Sequence, residues 1–197
     1  MRSRLSVRPT LVRLLQSTAL AGSLLGVSAA QAAVFNVSSE AELADAITTA
    51  NSNGAPSNTI NITGNIVLSG PLPTLGVRDA AGVPVTTGSL TINGNGNTVS
   101  ASGAQRIFFA NAGSVTISNV TLTDGLAKGG NGGNGDGFDS PAGGGGMGAG
   151  GALFVRAGTT VTVDTVSFAN NSAVGGNGGQ PGTGDKGGGG GGGLGGN

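Results

Sequence analysis

Two stretches decide how this chain is read: RIFFANAGSVTISNVTLTDGLAKGGNGG at residues 106–133 and ALFVRAGTTVTVDTVSFANNSAVGGNGG at 152–179. Shifted by 46 residues, one lies over the other without a gap. Ile107 meets Leu153, Phe108 meets Phe154 and Phe109 meets Val155. Further on, Val115 meets Val161, Ile117 meets Val163, Val120 meets Val166 and Leu122 meets Phe168, while Thr116 and Thr162 coincide on the opposite parity. Apolar on apolar at matching parity is what strands stacked in register require. An earlier unit fits in front: Gly88-Ser89-Leu90-Thr91-Ile92 resembles Gly113-Ser114-Val115-Thr116-Ile117 at a shift of 25. The bare repeat is therefore shorter than the 46-residue spacing, which is one repeat plus an insert.

Between these landmarks the chain offers short runs rich in Thr, Val and Ile. They are 59–62, 65–68, 89–92, 97–100, 106–109, 114–117, 119–122, 152–155, 160–163 and 165–168, with Gly, Asn, Ser or Asp between them. Strands this short do not make a free-standing sheet, but each can pair with its counterpart in the next repeat. The expectation is an all-β fold, a right-handed parallel β-helix (solenoid) with an N-terminal capping helix and glycine-rich loop inserts. The helix is expected over 39–51: Ser39 and Glu42 read as a capping box, Leu43, Ala46, Ile47 and Ala50 share one face, and Asn51-Ser52-Asn53-Gly54 followed by Pro56 ends it.

The ends of the chain carry different signals. MRSRLSVRPTLVR has four arginines and no acid, LLQSTALAGSLLGV is apolar, and AAQAA follows. This is the pattern of a signal peptide over 1–32 with cleavage between Ala32 and Ala33. The remaining chain holds five Lys/Arg against nine Asp/Glu and is mildly acidic, which argues against nucleic acid as a partner. It contains no later apolar run long enough to cross a membrane as a helix. Without Cys or His anywhere, disulfides, thiolate sites, His-ligated zinc and Ser-His-Asp catalysis are excluded within these residues.

Glycine is uneven: 29 of the 42 lie from Gly129 onward. The expected organisation is a cap over 33–58, β-helix coils over 59–128, a glycine-rich insert over 129–151, a further coil over 152–174 and a second glycine-rich insert over 175–197. The inserts are expected to be mobile, given glycine's backbone entropy. Because the counterpart of the strand at 152–155 would begin just past Asn197, the chain reads as the N-terminal part of a longer protein.

Several of these segments together resemble the N-terminal part of autotransporter passenger domains and related pectin-lyase-like surface proteins. The matching segments are AELADAITTAN (41–51), INITGNIVLSGPLP (60–73), LTINGNGNTVSASG (90–103), VTISNVTLTDG (115–125) and VTVDTVSFANNSAVGGNGG (161–179). The resemblance covers residues 34–179. It implies a Gram-negative protein exported to the outer membrane, cell surface or medium, held through a C-terminal β-barrel that lies outside this sequence, and serving as an adhesin or display passenger with a protein or glycan ligand.

Sharper chemical motifs are poorly met. GGNGDGFD (132–139) approaches a calcium nonapeptide, but Asp136 falls one place early and tandem copies are lacking. GTGDKGGG (182–189) lacks the Gly-Lys-Ser/Thr order of a phosphate loop. A polysaccharide-acting enzyme needs convergent carboxylates. Asp124 aligns with Asn170 and Asp164 with Ser118, while Arg106 and Arg156 fall opposite alanines, so these charges read as turn and surface residues. The sequence thus assigns no catalytic, cofactor-binding or metal-ligating residue. Asn111, Asn119, Asn170 and Asn171 read as corner residues and the Phe side chains as core. An enzyme with its acids beyond residue 197 is the alternative function, and a polyglycine protein whose Gly-Gly-Asn arrays pack by themselves is a third.

Overall fold

The computed structural model describes residues 31–184 except Thr87 and Asp139; the signal-peptide reading of residues 1–30 and Asp185 lie outside the described residues. Eleven strands and one helix follow in order: β1 Ala33–Val37, α1 Glu40–Ser52, β2 Ser57–Ile62, β3 Ile66–Val67, β4 Ser89–Asn93, β5 Thr98–Ser100, β6 Phe108–Ala110, β7 Ser114–Thr123, β8 Leu126–Lys128, β9 Leu153–Val155, β10 Thr160–Ala169 and β11 Ser172–Val174.

The expectation of an all-β right-handed parallel β-helix is corrected here. Among the described residues the chain is mixed α/β: one seven-stranded parallel sheet in the order β1-β2-β4-β7-β5-β3 with β10 also on β7, two two-stranded sheets (β8 with β11, β6 with β9) and one helix. The physical reason lies in two corner residues. The runs at 114–117 and 119–122, expected as separate strands, fuse into β7, and those at 160–163 and 165–168 fuse into β10. Each fused strand passes through one residue in the left-handed region, Asn119 (φ 51°) and Thr165 (φ 54°), and bends there without losing its ladder. β7 can then pair with β4 along its first half and β5 along its second, joining what the sequence suggested were separate faces.

The register is the part the repeat foretold. β7 and β10 pair at a shift of 46 from Ser114↔Thr160 to Thr123↔Ala169, and β4 pairs with β7 at 25 from Ser89↔Ser114 to Asn93↔Ser118. β6 and β9 depart from it. Phe108 meets Leu153 and Phe109 meets Phe154, a shift of 45, because the turn Arg156–Thr159, closed by the Thr159 N–H on the Arg156 carbonyl at 3.1 Å, holds one more residue than its counterpart.

Alternation builds the core. Ile60, Ile62, Ile92, Val115, Ile117, Val120 and Leu122 point inward and are buried with Ile66, Leu75, Val99, Ile107 and Phe108. Helix α1 closes one end with Leu43, Ala46, Ile47 and Ala50, packed against β1 and β2. Its start modifies the expected capping box. The Ser39 hydroxyl accepts from the Glu42 N–H at 3.3 Å, but the Glu42 carboxylate turns to the N–H and hydroxyl of Ser38 at 2.8 and 3.1 Å. Asn58, the one buried polar side chain among the described residues, accepts from Asn53 Nδ2 at 2.7 Å and donates to the Ala50 carbonyl at 3.3 Å, tying the helix end to β2.

The expectation that the glycine inserts are mobile meets a hydrogen-bonded arrangement. Segments 127–137, 140–151 and 174–184 form a closed three-membered bundle. Gly129, Gly132 and Gly135 donate to the carbonyls of Val174, Asn177 and Gln180, all at 2.8 Å. Gly176, Gly179 and Gly182 donate to Gly146, Gly143 and Ser140, and Gly146 and Gly143 donate back to Gly130 and Gly133. Donors recur every third residue, the period of a polyproline-II strand. Glycine is obligatory at that period: a Cβ on Gly176, Gly179 or Gly182 would sit 1.9–2.0 Å from the carbonyl oxygen of Gly130, Gly133 or Gly137.

Candidate functional site

The residues that alternate with the core define an outward face. Three columns cross β2, β4, β7 and β10: Ser57, Ser89, Ser114 and Thr160; Thr59, Thr91, Thr116 and Thr162; and Asn61, Asn93, Ser118 and Asp164. β-Branched and hydroxyl side chains suit the pleat, and the rows lie about 4.8 Å apart with about 6.7 Å between columns along a strand. The face is neutral except for Asp164. Its amides are linked across rows: Asn61 donates to Asn36 at 3.2 Å and Asn119 to Asn93 at 3.5 Å.

At the corner beside these columns, Asn95 (φ 50°), Asn119 (φ 51°) and Thr165 (φ 54°) stack in the left-handed region. They border an open groove of about 320 Å³, lined further by Gly96, Val120, Thr121 and Ser167. Gly94 makes the corner tight, since a Cβ there would lie 2.3 Å from the Val120 Cβ. Asn95 and Asn97 donate to the Ile62 carbonyl at 3.1 and 2.9 Å, and Asn93 Oδ1 accepts the Asn95 N–H at 3.1 Å. The groove therefore offers amide and hydroxyl groups on a fixed backbone.

The charges weighed in the sequence fall apart in space. Asp124 sits at a second left-handed corner with Ser102 and Asn170 and accepts from the Ser100 hydroxyl at 3.1 Å, while Asp164 stands on the outward face opposite Ser118 and accepts from the Thr165 hydroxyl at 3.0 Å. Among the described residues no group of three acidic side chains gathers. Asn171 is a corner residue, its amide donating to the Leu122 carbonyl at 2.9 Å and its oxygen accepting the Gly125 N–H at 2.8 Å. Ala33 opens β1, its N–H donating to Asn58 Oδ1 at 3.3 Å; Ala32 precedes the strand and is exposed.

Two readings of individual residues change. Arg106 is a clamp rather than a surface charge: it donates to the carbonyls of Gly150 (2.8 Å) and Ala149 (2.7 Å) and lies over the rings of Phe109 and Phe154 at 5.7 and 5.0 Å. Burial lowers its guanidinium from the ordinary value. Phe154 is outside the core, edge-to-face with Phe109 at 5.4 Å, because of the one-residue register change; Phe108 is inside. Asn111 serves two further arginines, its carbonyl accepting from Arg78 at 2.6 Å and its side chain from Arg156 at 3.1 Å.

Among the described residues no helix is long and apolar enough to cross a membrane. No family model, curated protein or solved structure matches this chain.

Proposed function

We propose that this chain is an exported recognition module, acting in adhesion or surface display, whose ligand lies across the outward columns and the groove at Asn95, Asn119 and Thr165. The observation that carries the reading is the repetition of Ser, Thr and Asn in fixed columns over a rigid parallel sheet. Each hydroxyl or amide contributes little by itself, on the order of 1 kcal/mol, but a repetitive ligand engages many at once. Near-neutrality of the face favours a neutral polyhydroxyl polymer, a glycan, over an ionic partner. Export through cleavage after Ala32 would leave Ala33 as the first residue, with β1 intact.

Binding of the whole chain to a panel of immobilised neutral polysaccharides tests the reading. At least one glycan is expected to bind saturably, and the combined Thr91→Val, Thr116→Val and Thr162→Val variant, which keeps shape and removes three hydroxyls, is expected to weaken it about tenfold or more. Absence of binding across the panel, or undiminished binding by that variant, would defeat it. Retention of residues 1–32 on the protein recovered from cells would defeat the export part alone.

A further inference from the structure

Two arginines from distant parts of the chain meet beside the turns that lead into β7 and β10. Arg78 opens a hairpin between β3 and β4, where it bridges Pro84, and Arg156 opens the turn between β9 and β10. Both are anchored on Asn111, and each also reaches the other's turn. Arg78 donates from Nη1 to the Gly82 carbonyl at 2.9 Å and from Nη2 to the Ala157 carbonyl at 3.1 Å. Its Nη2 lies 3.6 Å from where a Cβ on Gly158 would stand, and Nη2 of Arg156 lies 3.8 Å from the same place on Gly82. Both glycines turn the chain at positive φ, 81° and 77°, and neither has a side chain to cover the guanidinium beside it. Arg78 is half-buried and Arg156 exposed.

We infer that this pair receives an oxyanion, a carboxylate or sulfate group, held by the open edge of Arg156 and the spare N–H groups of Arg78. Every hydrogen bond the two arginines make among the described residues ends on a neutral oxygen. Asp79, the acid next to Arg78 in sequence, instead accepts the Val83 N–H at 2.8 Å and closes its own turn. A guanidinium has five N–H groups, of which Arg78 commits three and Arg156 one. Arg156 therefore keeps its Nε and Nη2 groups, the fork that holds a carboxylate through two parallel bonds. Two cations gathered on one asparagine repel, and an anion shared between them turns that cost into attraction. Arg106 is the contrast: its donors go to Ala149 and Gly150 and aromatic rings cover it. The site stands apart from the glycan reading and does not rest on it. The same oxyanion chemistry has two sources, a ligand in solution or an acidic side chain of a following repeat.

Nitrogen-15 NMR of the full chain, titrated with sodium sulfate and with sodium acetate at an ionic strength held constant with chloride, tests this. Saturable shifts are expected at the Arg156 Nε–H and at the Gly82 and Gly158 amides, with the Arg106 Nε–H unmoved. Followed at the two glycines, Arg156→Gln is expected to weaken binding about tenfold or more, and Arg156→Lys, which keeps the charge without the fork, to weaken acetate binding as well. Circular dichroism of both variants shows whether the fold is kept. No shift, a shift shared equally by Arg106, or binding undiminished in Arg156→Gln would overturn the inference. Repeating the titration on a form extended past residue 197 separates the two sources. A retained response assigns the site to a ligand in solution, and a response confined to the 197-residue chain assigns it to a carboxylate of the protein itself.

Discussion

The sheet and the glycine bundle obey the same 46-residue repeat by opposite means. In the sheet, register is held by side chains: Val115 under Val161, Ile117 under Val163, Leu122 under Phe168. In the bundle, register is held by the absence of side chains, with backbone N–H groups aimed at carbonyls every third residue and no room for a Cβ at the contact glycines. Amide groups bridge the two styles. Asn131 and Asn134 accept the N–H groups of Asn177 and Gln180 at 3.0 and 2.8 Å, so the Asn column tracks the repeat within the bundle. The lesson is that a segment without hydrophobic residues can still be specified in register, provided its glycines fall at the period of the strand they form.

The comparison can be broken most severely in the sheet. Phe108→Ala empties a site at the centre of the buried cluster and should lower stability by about 3–5 kcal/mol, measured by chemical denaturation. In the bundle, Gly179→Ala places a methyl 2.0 Å from the Gly133 carbonyl oxygen and should cost about 1–3 kcal/mol, with faster amide exchange confined to the three glycine segments. Fast exchange across 129–150 in the unaltered protein would show that the bundle does not hold. A third change should sharpen the sheet. Thr165 is β-branched at φ 54°, where its counterparts Asn95 and Asn119 are asparagine, so Thr165→Asn should raise stability by about 1 kcal/mol.

The smallest effect is electrostatic. Glu40 accepts from the Ser69 hydroxyl and from the Ser69 and Gly70 N–H groups, and these bonds hold its carboxyl below the ordinary value. Glu42 is lowered by the Ser38 N–H and hydroxyl and by the Ser39 hydroxyl. With the folded pKa depressed, the contribution is fully present above the unfolded glutamate value of about 4.3 and is lost as pH falls through the lowered one. Melting of Glu40→Gln against the parent should therefore differ at neutral pH and converge in acid.

Much of this was legible in the sequence where side chains set the spacing. The 25- and 46-residue shifts placed β4, β7 and β10 correctly, and α1 was located to within one residue at each end. The fold class was not legible, because strand breaks were read at Ser118 and Asp164, next to the left-handed Asn119 and Thr165, and whether a polar residue at a corner ends a strand or bends it depends on backbone φ rather than composition. The slip between β6 and β9 hid for a related reason: one extra turn residue leaves the apolar pattern intact, with Phe over Phe in either register. β1, β8 and β11 were missed since AVFNV follows an export-type segment and LAK and SAV carry almost no periodicity. Of the candidate site, the Thr column was visible at Thr116 and Thr162, but the groove depends on three left-handed corners aligning in space.

Arg106 joins the two regions, with its guanidinium bonded to the bundle at Ala149 and Gly150 and stacked on Phe109 and Phe154 of the small β6–β9 sheet. Such a rivet makes the melting of one region felt by the other. Heated in a calorimeter, the intact protein then loses both as one cooperative unit. With Arg106 replaced by methionine, which keeps bulk but neither charge nor donors, the glycine bundle is free to let go first, as an earlier and separate event.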